Sequence, residues 1–224
     1  MYAVGISCFI TEGHALLYYG AKIVPTDWEI CVPDDCFERA SAISTSELYE
    51  PWIKIPPQLR SLKHTYPRFT LKGVNFFFSI VPAFEYFVKW KPANLERSKM
   101  NIPFPKLKLL AQSLLDTQRQ LDLTNLVYGM DLSEEWGEDH LDLDKPGELE
   151  YAKEKNEKLI KLCGETLGIV LRLRETPMDL RQQWQKIVRG KWRRINIEQP
   201  QDLYNTRFRM KGSGDPRLRE RQNI

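Results

Sequence analysis

Two short runs of sequence decide the fold of this chain: Gly13-His14-Ala15-Leu16, followed by Gly20, and Thr26-Asp27-Trp28-Glu29-Ile30. The first run predicts amphipathic helical turns that end at Gly20, because glycine readily adopts the left-handed conformation at a helix C-terminus. The second run alternates apolar with polar residues, which predicts a β-strand with one buried face. Alternate residues of a strand point the same way, so Asp27 and Glu29 are expected to share the other face.

The rest of the chain has a mixed pattern of strands and helices. A helix entry is predicted to precede the first run, from residue 4, and a helix is predicted over residues 33–43. Strands over 68–71 and 74–82 are predicted to form a hairpin across Lys72-Gly73. The second half is predicted to be helical, with its last helix capped within residues 176–179. Two stretches are predicted to be loops: the proline-containing residues 51–59 and the acidic residues 131–148.

Composition describes an ordinary globular chain. It has 224 residues, of which 42% are hydrophobic and 28% charged. Four scattered cysteines do not suggest a disulfide framework, so we expect free thiols in a reducing compartment. No apolar run approaches the roughly 20 residues of a membrane span, and the N-terminus does not resemble a signal peptide. These features predict a cytoplasmic protein, with the nucleus as the alternative, and no membrane partner.

The net charge of +3 conceals an uneven distribution of charge. Residues 131–157 contain eleven acidic residues and three lysines, whereas residues 172–224 contain fourteen basic and six acidic residues, a surplus of eight. A basic end on a near-neutral body favours a polyanionic partner, and a nucleic acid, first of all tRNA, is the partner that we expect. The alternative is that these side chains only solvate the exposed faces of helices.

The densest basic cluster is predicted to bind RNA. Arg189, Lys191, Arg193 and Arg194 surround Trp192 immediately after a predicted helix. Four cations beside an aromatic ring suit phosphate contacts and a base stacked on the indole. The alternative is that one or two of the cations cap the helix and that the tryptophan closes the core.

The two opening runs resemble the start of the DNA polymerase β-like nucleotidyltransferase superfamily, above all its minimal members. In that family a glycine-containing helix start precedes a strand with two acids one residue apart. A second segment supports the resemblance, because residues 102–111, Arg119 and Leu121-Asp122-Leu123 are similar to the helical segment after the family's catalytic sheet. The two patches cover about residues 8–32 and 102–127.

The resemblance implies a fold and a division of the chain. The expected fold is α/β (α+β): a nucleotidyltransferase-like mixed sheet flanked by helices, with a helical C-terminal extension. We place the nucleotidyltransferase-like domain at residues 1–100 and the helical extension, packed on it, at residues 101–211. Residues 212–224 are predicted to form a disordered basic tail.

The resemblance also implies a metal-dependent site. Asp27 and Glu29 would be the catalytic residues and the ligands of Mg²⁺, since carboxylates on one strand face can chelate a divalent cation beside a nucleotide. Such a metal neutralises phosphate charge and orients the attacking group. Nucleotide binding is assigned to four further residues, Gly13, His14, Arg68 and Lys106.

The chain departs from the family pattern in three places, which indicates a degenerate active site. Glu12 stands where the family has glycine beside the helix start, and the second acid is Glu29 rather than aspartate. Residues 74–82 contain no third carboxylate, and Ser79 or Asn75 stands in its place.

Three functions therefore compete, and we expect a transferase. The first is metal-dependent nucleotidyl transfer to a nucleotide or RNA substrate, which the retained acidic pair favours. The second is a tRNA-dependent transferase, such as an arginine-containing cyclodipeptide synthase of filamentous fungi, whose fungal-type character the chain resembles. The third is a non-catalytic RNA-binding or interaction module. The missing third carboxylate favours the second and third.

Overall fold

The computed structural model of the chain describes residues 5–21, 23–25, 27–43, 52–56, 66–88, 91–170 and 172–191. Strands in these stretches are Phe9–Thr11 (β1), Trp28–Val32 (β2), Trp52–Ile55 (β3), Arg68–Leu71 (β4), Phe77–Pro82 (β5), Leu95–Arg97 (β6) and Pro103–Pro105 (β7). Helices are Glu12–Tyr18 (α1), Phe37–Ile43 (α2), Leu107–Asp116 (α3), Gln120–Met130 (α4), Glu134–His140 (α5), Leu149–Val170 (α6) and Leu180–Arg189 (α7). Gly164 interrupts the helical backbone of α6 with φ 74°.

Five strands form one mixed sheet in the order β1-β2-β5-β4-β3. β2 and β5 are parallel, and every other neighbouring pair in this sheet is antiparallel. β6 and β7 form a separate antiparallel pair that spans the predicted boundary at residue 100. The turn between β4 and β5 includes Gly73 at φ +77°, which favours glycine. The mixed sheet and its helices confirm the predicted α/β (α+β) class and the hairpin.

α1 and α2 pack on one face of the sheet, and the short turn Ala83–Tyr86 packs on the other. Ile30 and Ile80 are partners on β2 and β5 and pack toward α1 and α2. On the opposite face, Cys31 packs against Tyr86. The prediction that β2 has a single buried face is therefore wrong, because Glu29 on the acidic face is only 2% exposed.

The helical second half packs on α1 through a continuous apolar core. Leu16 of α1 shares this core with Leu126 of α4 and Trp184 of α7. Of the aromatic and aliphatic side chains in and beside β2 and β5, Phe78 is buried, whereas Trp28, Ile30 and Phe76 are half-buried. None of the helices in the described stretches is long and apolar enough to span a bilayer.

Two short strands replace predicted helix and loop. Residues 9–11 belong to β1 rather than to the helix entry, because Phe9, Ile10 and Thr11 are all buried and pair with β2. Residues 52–55 form β3 although a loop is predicted there. The prolines at 51 and 56 flank this edge strand without interrupting it, which is where sheets tolerate proline.

The acidic stretch 131–148 is not an exposed loop, because α5 lies within it. The Ser133 hydroxyl accepts a hydrogen bond from the Trp136 backbone N–H, which caps the helix. Trp136, Leu141 and Leu143 join the core, while Glu134 and Glu135 occupy the first turn, where the helix dipole favours acids. Burial of a few apolar side chains outweighs the high local charge.

The last described helix, α7, begins later than predicted. Its N-cap is Asp179, whose carboxylate accepts from the Gln182 backbone N–H. Met178 is buried against the core ahead of the helix, so a cap at the start of residues 176–179 is incorrect. Thr26, residues 192–211 and the predicted tail 212–224 lie outside the described residues.

Candidate functional site

The acid-bearing row of the sheet contains the residues that the sequence predicts, in one register. Glu29 is opposite Thr11 of β1 and level with Ser79 of β5, and Ser79 is opposite Arg68 of β4. Side chains at paired positions point to the same face of a sheet. Ser79 rather than Asn75 therefore stands beside Glu29, and a cationic side chain follows it on the next strand.

Arg68 forms a two-pronged ion pair with Asp27. Its Nη2 donates to Asp27 Oδ1 at 2.8 Å, and its Nε donates to Oδ2. The side chains are 13% and 14% exposed, and the guanidinium lies 4.6 Å from the centre of the Phe77 ring. The hydrogen bond to Asp27 raises the pKa of Arg68 further above its ordinary value. This geometry gives both carboxylate oxygens of Asp27 a cationic partner.

Glu29 is held beneath Tyr86. The Tyr86 hydroxyl donates to Glu29 Oε2, and both residues are almost fully buried. Burial, followed by the charge of Glu29, raises the pKa of the Tyr86 phenol well above its usual range. Tyr86 therefore remains a neutral hydrogen-bond donor at physiological pH.

The two predicted metal ligands do not form a ready cation site. Asp27 is matched by Arg68, Glu29 is covered by Tyr86, and a serine stands in the third position. Over the described stretches, no group of three His, Cys, Asp or Glu residues has a geometry suited to a metal ion. As arranged, these residues do not fit a resident Mg²⁺, which prefers open oxygen ligands in octahedral geometry.

Gly13 and His14 lie at the start of α1 and make packing contacts. A Cβ at Gly13 would lie 2.7 Å from Pro25 Cβ, so glycine permits the close approach of this proline. His14 stacks on Trp28 with ring centres 3.9 Å apart, and its Nδ1 is buried without a hydrogen-bond partner in the described chain. Burial lowers the pKa of His14, which keeps the ring neutral.

Lys106 lies away from the acidic pair. It precedes α3 with its side chain exposed, and the neighbouring Pro105 carbonyl accepts from the Tyr19 hydroxyl at 2.7 Å. Tyr19 follows the C-terminal end of α1, whereas His14 lies near its beginning. Of the four residues assigned to nucleotide binding, Arg68 contacts Asp27. Lys106 lies near the C-terminal end of α1, whereas Gly13 and His14 lie near its N-terminal end.

The described part of the basic cluster is engaged in ion pairs. Arg189 donates from Nε and Nη2 to the Glu134 carboxylate at 2.7 and 2.8 Å, with an exposed side chain. Lys191 is buried and donates to Asp131 Oδ1 at 2.7 Å. Lys191 therefore stabilises the fold and is not positioned for phosphate, which corrects its assignment. Trp192, Arg193 and Arg194 lie outside the described residues.

A buried ionic cluster that the sequence did not predict lies beside the acidic face. Glu85 accepts hydrogen bonds from the Tyr66 hydroxyl and from Lys155, and it is 1% exposed. Arg119 donates from Nη2 to the Glu85 main-chain oxygen at 3.2 Å and lies over the Tyr86 ring at 4.3 Å. The short turn Ala83–Tyr86 therefore links this cluster to Glu29.

Burial and charge act in opposite directions on the groups of this cluster. Burial alone would raise the pKa of Glu85, but the charge and hydrogen bond of Lys155 hold it below its ordinary value. Burial lowers the pKa of Lys155. One local signal in the sequence could have indicated that Lys155 is buried. Lys155 is four residues after Tyr151 and four before Leu159 on α6, a spacing that places all three on the buried face.

Comparison with known proteins finds a weak similarity to a solved structure and no matching family. No protein-family model matches the chain, and no curated protein matches it. Among solved structures, it is similar to a protein described as "putative nucleotidyltransferase from H. pylori", with 13% identity and a TM-score of 0.36 over 86% of this chain and 89% of the other. Similarity at this level does not transfer an activity.

Proposed function

We propose that this protein is a nucleotidyltransferase-like protein that binds an RNA substrate without a resident divalent cation. The observation behind the proposal is the Arg68–Asp27 ion pair at the acidic pair, where the sequence resemblance implies a metal. The guanidinium supplies the positive charge that a metal would supply there.

A guanidinium favours binding over phosphoryl activation. It has five N–H donors in a planar fork, so it can contact a carboxylate and still hold a phosphate oxygen. It does not lower the pKa of a coordinated hydroxyl as a metal ion does. Ser79 beside Glu29 is consistent with this view. A site without a metal ion does not need a third carboxylate to ligate it.

RNA is the proposed substrate because of the charge distribution. Residues 172–224 have a surplus of eight positive charges, and Arg193 and Arg194 are two and three residues after the last described residue. Each phosphate contact should contribute a slope of about −0.9 to the logarithm of the binding constant against that of salt on duplex-like RNA.

The experiment is fluorescence-anisotropy titration of labelled tRNA at several salt concentrations, in EDTA and in Mg²⁺. We expect binding in EDTA, and we expect Arg193→Ala/Arg194→Ala to flatten the salt slope by about one to two units. A matched control is Lys153→Ala/Lys161→Ala, which removes two exposed charges from α6. Absence of binding in EDTA at low salt, or an equal effect of both double variants, would contradict the proposal.

Metal-dependent nucleotidyl transfer is the second candidate, favoured by the two-residue spacing of Asp27 and Glu29. It requires Arg68 to leave Asp27 when a metal–nucleotide complex arrives. Incorporation of labelled nucleotide into RNA that depends on Mg²⁺ and is lost in Asp27→Asn would establish it.

Incubation with aminoacyl-tRNA tests the tRNA-dependent transferase, whose signature is deacylated tRNA together with a cyclic dipeptide.

A further inference from the structure

A cavity of about 300 Å³ lies where α6 meets the turn between α3 and α4. Its polar lining includes Glu85, Arg119, Tyr151 and Lys155, and Leu173 forms an apolar wall. This volume is at the lower end of the range for small-molecule pockets and exceeds what a single inorganic ion needs.

The cavity lining has more positive than negative charge. The side chains of Arg119 and Lys155 are 18% and 7% exposed, and Glu85 is the carboxylate that lines the cavity with them. Glu12 Oε1 lies 4.0 Å from Arg119 Nη1, but Glu12 is not part of the lining. Two shielded cations beside one carboxylate favour an anionic ligand, since charges interact more strongly away from bulk water.

Arg119 has hydrogen-bonding capacity that its contacts in the described chain do not exhaust. It donates to the Glu85 main-chain oxygen at 3.2 Å, hydrogen-bonds with the Tyr151 side chain and lies over the Tyr86 ring. Its nearest contacts with the Glu85 and Glu12 carboxylates are longer, at 3.7 and 4.0 Å. A guanidinium has five N–H donors and an ammonium has three. Arg119 and Lys155 can therefore bind a further group that accepts several hydrogen bonds.

We propose that this cavity binds a small phosphorylated compound. Its phosphate would accept from the N–H groups of Arg119 and Lys155 that Glu85 does not hold, and its organic part would lie against Tyr151 and Leu173. The planar fork of an arginine matches two phosphate oxygens, and lysine adds a point charge to a third. The site is separate from the Arg68–Asp27 pair, so the proposal does not depend on the proposed function.

The test is calorimetric titration of the full chain with orthophosphate, adenosine 5′-monophosphate and adenosine. Saturable binding of the monophosphate, with adenosine weaker by about tenfold or more, is the expected result, because charge-assisted hydrogen bonds to the phosphate would be lost. Failure of both orthophosphate and the monophosphate to bind saturably would overturn the proposal.

Four variants locate the binding. Arg119→Gln should weaken binding of the monophosphate by about tenfold or more. Lys153→Gln, which removes an exposed lysine from the helix that carries Lys155, should leave this binding unchanged. Leu173→Trp fills the cavity and retains both cations, so it should weaken binding of the monophosphate more than binding of orthophosphate. Loss of binding in Arg68→Ala with full binding in Arg119→Gln would assign the phosphate to the acidic face and refute the cavity site.

Discussion

Replacing Glu85 with glutamine tests the buried ionic cluster. Glu85 is 1% exposed and accepts from Tyr66 and Lys155, and its Oε2 lies 3.7 Å from Arg119 Nη2. Glu85→Gln keeps the shape of the side chain and leaves the Lys155 charge without its buried counter-charge. Removal of one partner from a buried ion pair costs about 3–5 kcal/mol.

This loss is large enough to measure by both urea and heat. In a domain of this size about 3–5 kcal/mol corresponds to a fall in Tm of roughly 6–20 °C. The matched control is Glu154→Gln, which breaks the exposed pair of Glu154 with Lys158, 54% and 49% exposed. Exposed pairs contribute about 0–1 kcal/mol, so the control should unfold almost as the parent does.

The same carboxylate predicts a direction of pH dependence. Because the folded-state pKa of Glu85 is below its ordinary value of 4.5, its contribution is present above that pH and is lost as pH falls through the folded value. The parent should therefore lose stability in acid more steeply than Glu85→Gln does. Equal unfolding free energies of Glu85→Gln and Glu154→Gln, or parallel pH profiles for parent and Glu85→Gln, would refute this reasoning.

Three further predictions concern packing and thiols. Gly137→Ala would place a Cβ 2.1 Å from Trp184 Nε1 and should lower the free energy of unfolding in urea by about 1–3 kcal/mol. An unchanged urea midpoint would contradict the close packing of α5 on α7. Phe78→Ala removes a ring that is 5% exposed and should cost about 3–5 kcal/mol, and a loss below about 1 kcal/mol would count against a buried position. Cys36, half-buried, should react with a thiol reagent in the folded protein, whereas Cys31, fully buried and with its pKa raised by burial, should react after unfolding. Peptide mass spectrometry distinguishes the two, and early modification of Cys31 would be inconsistent with its burial.

Local patterns were sufficient to predict the centre of the sheet. The alternation around Trp28 predicted β2, the apolar run before Pro82 predicted β5, and the turn at Lys72-Gly73 predicted the hairpin of β4 and β5. Periodicity works here because each element has an apolar pattern strong enough to define its buried face.

Elements with weak or conflicting local patterns were missed. β1 and β3 are three and four residues long, too short for periodicity, and pairing with neighbouring strands stabilises them. α5 is acidic in composition, and the buried Trp136 within it is a tertiary feature. Tertiary contacts override local propensity in such segments.

The candidate site was likewise predicted only where its signal is local in the sequence. Asp27 and Glu29 were identified because their spacing is local. Their partners come from distant positions: Arg68 is 41 residues from Asp27, and Tyr86 is 57 from Glu29. A single sequence does not specify which cation or hydroxyl approaches a given carboxylate, so the ion pair of Arg68 with Asp27 is visible only in the folded chain.

The central claim is that the Arg68 guanidinium, not a divalent metal, neutralises Asp27. The most direct measurement is electron paramagnetic resonance of free Mn²⁺ titrated with the protein, with Asp27→Asn as the control. We predict that the parent chain and Asp27→Asn leave the free Mn²⁺ signal equally undiminished, because Arg68 already occupies both carboxylate oxygens. Stoichiometric loss of the signal with the parent, and its return with Asp27→Asn, would contradict the claim.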